Sequence, residues 1–142
     1  MAFSWDQHQR EFLAGFLGKR ARRVEAEAPV AGGARFLDLL VIHAVRSGFF
    51  DFLPEWAAIE NKAPGERFTM EQLRRFIGKI WFALSERWPA EDPIEDVAGV
   101  VLAASVAGAV RRWPVAAQPL RAGIEILGTQ PRVFLVLVDK RR

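Results

Sequence analysis

The chain has 142 residues, of which 51% are hydrophobic and 26% charged, and its formal net charge at pH 7 is +3. This composition predicts one domain with its own core and excludes a globally disordered chain. The sequence contains no cysteine, which rules out disulfides, thiolate nucleophiles and cysteine zinc ligands. Two histidines and no tyrosine leave few groups for acid–base chemistry, so the composition argues against an enzyme.

Targeting and membrane signals are not evident in the sequence. The first ten residues are polar and of mixed charge, without the apolar segment of a secretory signal. The longest apolar run, residues 97–110, would span about 21 Å as a helix, which is short of the ~30 Å hydrocarbon core of a bilayer. We therefore expect a cytoplasmic protein without a membrane partner.

Helical patterns are predicted for the first part of the chain. Residues 1–31 are interpreted as an N-terminal helix followed by a joint. Pro29 and Gly32-Gly33 mark this joint as flexible. The nearly continuous apolar segment 34–50 predicts a second helix, central to a bundle or at an oligomer interface. A short helix after Pro54 and a loop over residues 61–67 complete this part.

The clearest predicted helix runs from Thr69 to Trp88. Thr69 and Gln72 form a capping-box pattern, in which each side chain can bond the other residue's backbone N–H. Apolar residues then recur with the helical period of 3.6. They are Leu73, Phe76, Ile77, Ile80, Trp81, Leu84 and Trp88. We expect Phe76, Ile80, Trp81 and Leu84 to be buried together in the core.

The second half of the chain predicts two more helices and one strand. The helices cover residues 92–112 and 119–127, and the β-branched run 133–138 favours a strand. No other predicted strand can pair with it, so we expect it to pair with a second copy or with another protein. The predicted fold class is all-α, a single helical domain over residues 1–142 with about five helices and a possible C-terminal β-strand in the basic tail 132–142.

Candidate catalytic and metal-binding groups are sparse. His43 lies five residues after Asp38, whereas two metal ligands on one helix face are three or four residues apart. A partly buried, hydrogen-bonded histidine is the favoured interpretation of His43. The sequence therefore predicts no catalytic residue, no metal site, no cofactor and no enzymatic activity.

One predicted surface is basic and aromatic. Arg74, Arg75 and Lys79 lie opposite the apolar stripe of the Thr69–Trp88 helix, and Phe82 falls between the two arginines on a helical wheel. An aromatic ring can stack on an unpaired base while neighbouring cations hold phosphates. The same face also suits a solvated, salt-bridged surface or a protein interface. Nucleic-acid binding and protein binding both stay open at this point.

The segment FTMEQLRRFI, residues 68–77, resembles a capped helix of the small helical subunit of type III CRISPR–Cas effector complexes. That family has a Thr-x-x-Gln-(Ile/Leu)-Arg-x-Phe pattern, and Ala107-Gly108 followed by Arg111 and Arg112 is similar to its second half. The resemblance covers residues 68–127. It implies a non-catalytic, multi-copy subunit of an RNA-guided ribonucleoprotein in antiviral defence.

The resemblance also implies partners and binding residues. The partners would be single-stranded RNA or DNA, as guide and target, together with other subunits and further copies of this chain. The nucleic-acid-binding residues would be Arg74, Arg75, Lys79, Arg111 and Arg112, to which the helical wheel adds Phe82.

Two other function classes remain as alternatives. One is a helical adaptor or homo-oligomeric interaction module without nucleic-acid binding, which would use residues 36–50 and the tail as interfaces. The other is a small helical enzyme built on Asp38 and His43, for which further catalytic partners are missing. The salt dependence of single-strand binding separates the first alternative from the ribonucleoprotein subunit.

Overall fold

The computed structural model describes residues 21–44, 52–63, 65–86, 97–112 and 116–138. Within these ranges the chain forms nine strands and one α-helix, numbered here in chain order. They are β1 (Ala21–Val30), β2 (Arg35–Ala44), β3 (Trp56–Asn61), β4 (Arg67–Phe68), α1 (Met70–Glu86), β5 (Val97–Ala103), β6 (Ser105–Val106), β7 (Gln118–Arg121), β8 (Ile124–Leu127) and β9 (Arg132–Leu137). The predicted all-α fold class is therefore wrong, because strands dominate the described residues.

Seven of the described strands form one mixed sheet, in the order β1-β2-β3-β5-β9-β8-β7. Strands β3, β5 and β9 run parallel to one another at its centre. Antiparallel β2 and β1 extend the sheet on one side, and antiparallel β8 and β7 extend it on the other. The short strands β4 and β6 pair separately. Central parallel strands are covered on both faces, so they read as continuous apolar runs without alternation.

The apolar continuity of these strands explains the wrong helix predictions. The segment 34–50 contains β2, the segment after Pro54 contains β3, and the segment 119–127 contains β7 and β8. The predicted helix 92–112 likewise contains β5 and β6, although residues 92–96 lie outside the described residues. A short apolar run has no distinctive period, so a buried strand and a buried helix look alike in sequence.

The predicted joint near Gly32-Gly33 is a tight turn between β1 and β2. Gly32 and Gly33 have φ of 66° and 89°, in the left-handed region that glycine adopts without a steric penalty. The interpretation of residues 1–31 as a helix and a joint is wrong over residues 21–30, which form β1. Residues 1–20, where that helix was predicted to begin, lie outside the described residues.

Helix α1 confirms the predicted helix and its capping box. The backbone N–H of Gln72 donates to Thr69 Oγ1 at 3.3 Å, and the N–H of Thr69 donates to Gln72 Oε1 at 3.2 Å. The expectation that Trp81 is buried is wrong, because its side chain is 47% exposed. The buried face consists of Leu73, Phe76, Ile80 and Ala83. Trp81 is one residue past Ile80, so it is rotated about 100° toward solvent.

Helix α1 packs closely on β5 because Gly99 has no side chain. A Cβ built at Gly99 would lie 2.6 Å from Cε2 of Phe76 and 2.8 Å from Cδ1 of Ile80. These distances are shorter than any ordinary contact between carbon atoms. The absence of a side chain at Gly99 therefore lets two large apolar residues of α1 reach the sheet.

Strand β9 confirms the predicted strand near the end of the chain, but the expected lack of a partner is wrong. It pairs in parallel with β5 and antiparallel with β8. Residues 133–136 are buried. The expected pairing with a second copy or another protein therefore loses its basis, because the neighbours lie in the same chain. The single-domain assignment over residues 1–142 stays a prediction.

The two faces of the sheet bury different sets of side chains. On β3, Trp56 and Ala58 pack in the core beneath α1, while Ala57 and Ile59 pack on the opposite face. Side chains alternate along a strand, so Glu60 follows Ala58 onto the face covered by α1. Within the described residues, no helix combines the length and apolar character needed to cross a bilayer.

Candidate functional site

Glu60 is a buried carboxylate with two ammonium partners. It lies near the end of β3 and is 5% exposed. Lys79 Nζ on α1 donates to Glu60 Oε1 at 2.9 Å, and Lys62 Nζ lies 3.8 Å from Glu60 Oε2. A buried charge is tolerated when it is paired and hydrogen-bonded, and these two lysines supply that compensation.

Asp38 lies beside Glu60 on the neighbouring strand. In the antiparallel pairing of β2 with β3, the last paired residues are Leu39 and Ile59, and Asp38 and Glu60 are the next residues of the two strands. The N–H of Asn61 donates to Asp38 Oδ2 at 2.8 Å. We call Asp38, Glu60, Lys62 and Lys79 the carboxylate cluster.

A groove of about 400 Å³ lies along α1 next to this cluster. We call it the basic groove, and it is lined by Arg35, Glu71, Arg74, Arg75, Gly78, Lys79 and Phe82. Four of these side chains are cationic and one is acidic. Lys79 belongs to both the basic groove and the carboxylate cluster. A polyanion in the groove would therefore lie next to the carboxylates.

Four of the six predicted nucleic-acid-binding residues line this groove together. They are Arg74, Arg75, Lys79 and Phe82. Arg75 is also paired on the helix surface with Glu71, at 2.6 Å, and the Phe82 ring is 45% exposed. Their binding of nucleic acid stays a prediction.

Arg111 and Arg112 lie elsewhere. The guanidinium of Arg111 bonds the carboxylate of Glu125 on β8, through Nε at 3.0 Å and also through a second nitrogen. Strands β3, β5 and β9 separate β8 from β2 in the sheet. Arg112 is exposed in the same turn as Arg111. The structure therefore does not bring these two arginines to the basic groove, and their role also stays a prediction.

The carboxylate cluster fits a magnesium ion by the chemistry of its donors. Carboxylate oxygens are hard ligands, and Mg²⁺ is commonly held by one or two carboxylates together with water and substrate phosphates. Asp38 and Glu60 supply two such groups from adjacent strands, next to the last pair of the β2–β3 register. Among the described residues, no set of three or more His, Asp or Glu side chains converges. A cation here would therefore complete its shell with water or substrate oxygens.

Sequence reasoning missed Glu60 and Lys62 because it assigned a helix before them and a loop from residue 61. The signal was nonetheless present, since the apolar run 56–59 is followed at once by Glu60-Asn61-Lys62. Polar residues at the end of a buried strand are typical of a functional site. Asp38 was considered only together with His43, whose side chain lies outside the described ones.

Comparisons with known proteins identify a related fold. No protein-family model and no curated protein matches the chain. The crystal structure of a repair endonuclease from Pyrococcus abyssi is similar with a TM-score of 0.50 at 8% identity, over 95% of this chain and 46% of that one. A structure of an EndoMS–dsDNA complex has a TM-score of 0.48 at 12% identity, over 76% of this chain and 39% of that one. The chain spans less than half the length of either protein.

These findings correct the predicted function. The resemblance to a type III CRISPR–Cas small subunit is wrong, because the chain folds around a mixed sheet and its fold is similar to that of a repair endonuclease. The similarity over residues 68–77 reflects a capping box and an amphipathic helix, which many folds contain. The prediction of a helical adaptor is wrong for the same reason, since α1 is the one α-helix among the described residues. The exclusion of an enzyme is contradicted as well, because an endonuclease shares the fold.

Proposed function

We propose that this protein is a nuclease that hydrolyses phosphodiester bonds with a divalent cation at the carboxylate cluster. The observation that carries the proposal is that Asp38 and Glu60 follow the last pair of the β2–β3 register, where the Asn61 N–H bonds Asp38, and that Lys62 lies beside Glu60. The similarity of the fold to that of a repair endonuclease supports the same reaction class by analogy.

The residues of the cluster would have distinct roles. Asp38 and Glu60 would hold the cation, and the Asn61 N–H keeps the Asp38 carboxylate oriented. When bound, a divalent cation supplies Lewis-acid polarisation of a phosphoryl oxygen. Lys62 carries a compact positive charge next to Glu60 and would stabilise negative charge that develops on the phosphate.

The basic groove would bind the nucleic-acid backbone and guide it to the cluster. Arg35, Arg74 and Arg75 provide guanidinium groups, which suit phosphate oxygens because they donate in a planar fork. The exposed ring of Phe82 offers a surface on which a base can stack. Nucleic acid is therefore the proposed partner of this protein.

A cleavage assay tests this function. Labelled single-stranded and double-stranded DNA and RNA are incubated with the full chain in Mg²⁺ or Mn²⁺, and with EDTA as the blank. We expect cation-dependent cleavage, which falls ~100-fold or more in Asp38→Asn and in Glu60→Gln. Glu66→Gln is the matched control, because Glu66 is an exposed glutamate outside the cluster.

Two results would overturn the nuclease. One is the absence of cleavage with every substrate and both cations, and the other is cleavage that Asp38→Asn and Glu60→Gln leave unchanged. The second candidate function is a nucleic-acid-binding domain without cleavage. Lys79 and Lys62 favour it, because they already neutralise Glu60. Binding of an oligonucleotide without cleavage would support this candidate.

A further inference from the structure

Lys79 occupies a position shared by the two parts of the site. Its ammonium donates to Glu60 Oε1 at 2.9 Å, and its side chain also lines the basic groove. Arg75, one turn earlier on the same helix face, pairs with Glu71 and has no such contact with the buried carboxylate. Among the lining residues of the groove, Lys79 thus links a proposed cation ligand to the surface that faces a polyanion.

The bond between Lys79 and Glu60 competes with a divalent cation. The Lys79 ammonium and a divalent cation would bind the same Glu60 carboxylate. Because both are positively charged, they repel each other at short range in a site that is shielded from water. The Glu60 side chain is 7% exposed and that of Lys79 is 18% exposed, so solvent screens this repulsion weakly. A cation at Glu60 therefore favours the departure of the Lys79 ammonium.

The geometry of lysine allows that departure without a movement of the helix. Its charge sits at the end of a flexible four-carbon chain with three rotatable donors. The basic groove adjoins the cluster, so the ammonium can turn from Glu60 toward the groove and meet a backbone phosphate there. Lys62, 3.8 Å from the other carboxylate oxygen, stays as the remaining partner of Glu60.

We propose that Lys79 is a positioning residue that exchanges between the Glu60 carboxylate and a nucleic-acid phosphate, so that divalent-cation binding and nucleic-acid binding strengthen each other. The inference rests on the proposed cation site of the nuclease. Coupling between two binding equilibria is reciprocal, so each ligand raises the affinity of the other by the same factor.

Two titrations of the full chain test the exchange. Calorimetry measures the affinity for Mg²⁺, and fluorescence anisotropy measures the affinity for a labelled single-stranded oligonucleotide in Ca²⁺ or EDTA at constant ionic strength. In Lys79→Gln we expect about tenfold tighter Mg²⁺ binding, because the competitor is gone, and no further effect of Ca²⁺ on oligonucleotide affinity. Arg75→Gln is the matched control, since it removes a charge from the groove without touching Glu60.

The outcomes separate this inference from the nuclease itself. If Lys79→Gln and Arg75→Gln change Mg²⁺ affinity equally, or if Lys79→Gln keeps the effect of Ca²⁺, the exchange is wrong while the cation site stands. If neither the unmodified chain nor Lys79→Gln binds Mg²⁺ or Ca²⁺, both the exchange and the nuclease are overturned.

A measurement on the unmodified chain covers the case in which Lys79→Gln does not fold. The sequence has four lysines, so their ammonium nitrogens give few NMR signals to assign. We expect the Lys79 signal to move toward that of a solvated lysine as Mg²⁺ is added, and to move again when the oligonucleotide binds. A Lys79 signal that stays constant up to saturating Mg²⁺ would contradict the exchange.

Discussion

The backbone N–H of Asn61 donates to Asp38 Oδ2 at 2.8 Å, and this bond joins the end of β3 to a side chain of β2. It satisfies a backbone donor at a point where Asn61 is 5% exposed. It also restricts the rotation of the Asp38 carboxylate next to Glu60. One hydrogen bond therefore contributes both to the folding of the sheet and to the arrangement of the proposed site.

This double role predicts different effects for two variants of Asp38. Asp38→Ala removes the acceptor of a part-buried N–H, so we expect the free energy of unfolding to fall by ~1–3 kcal/mol. Asp38→Asn keeps an amide oxygen in that place and should lose less than about 1 kcal/mol. Urea denaturation followed by circular dichroism measures both. Equal losses in the two variants would show that the Asn61 hydrogen bond contributes little.

The close approach of α1 to β5 predicts opposite effects for two glycine variants. Gly99→Ala should lower the free energy of unfolding by ~1–3 kcal/mol, because its Cβ would collide with Phe76 and Ile80. Gly78→Ala, in α1, has nothing within 4 Å of its Cβ and should raise stability by up to ~1 kcal/mol through helix propensity. Thermal unfolding of both variants checks the pair. An unaltered melting temperature in Gly99→Ala would contradict the packing described here.

The capping box at the start of α1 predicts a modest loss in one variant. Thr69→Ala removes the hydroxyl that accepts the Gln72 N–H, so the free energy of unfolding should fall by ~1 kcal/mol. Ser85→Ala provides a control near the other end of the helix, where the hydroxyl donates to the Phe82 carbonyl in an exposed position. We expect Ser85→Ala to lie within ~0.5 kcal/mol of the unmodified protein. Denaturant titration resolves a difference of this size.

The basic groove predicts a salt-dependent interaction with single strands. Arg74→Ala and Arg75→Ala should each weaken oligonucleotide binding to a similar extent for all sequences, and each should reduce the slope of log K against log salt by ~0.7. Arg121 on β7, at the far edge of the sheet, provides a control variant, Arg121→Ala, whose salt slope should not change. Anisotropy over a series of salt concentrations measures the slope. An affinity that does not change with salt concentration would exclude phosphate contacts in the basic groove.

The position of β9 inside the sheet predicts that the C-terminal segment is required for folding. We expect deletion of residues 132–142 to unfold the protein, because β9 lies between β5 and β8 in the sheet. The single substitution Leu135→Ala should lower the free energy of unfolding by ~2–5 kcal/mol, since Leu135 is fully buried. Leu137→Ala should lower the free energy of unfolding clearly less than Leu135→Ala, because Leu137 is 37% exposed. A deletion variant with native-like NMR dispersion would contradict this topology.

Features that depend on neighbouring residues could be predicted from the sequence. The helix α1 and its cap, the turn at Gly32 and the strand near residues 133–138 all follow from contacts within a few positions along the chain. Helical period, capping chemistry and the freedom of glycine act over that range, so they are visible before folding. Four of the six predicted binding residues lie together because α1 itself places them on one face.

The sheet and the carboxylate cluster depended on contacts between distant segments. The apolar runs that contain β2, β3 and β5 suit a buried helix as well as a buried strand, and their pairing decided between the two. Asp38 and Glu60 are 22 positions apart in the sequence, and the pairing of β2 with β3 brings them to neighbouring strands of the sheet. The sequence by itself determined where polar residues and local turns occur along the chain. The tertiary structure decided which polar groups meet, because strand pairing is a long-range contact that no local pattern encodes.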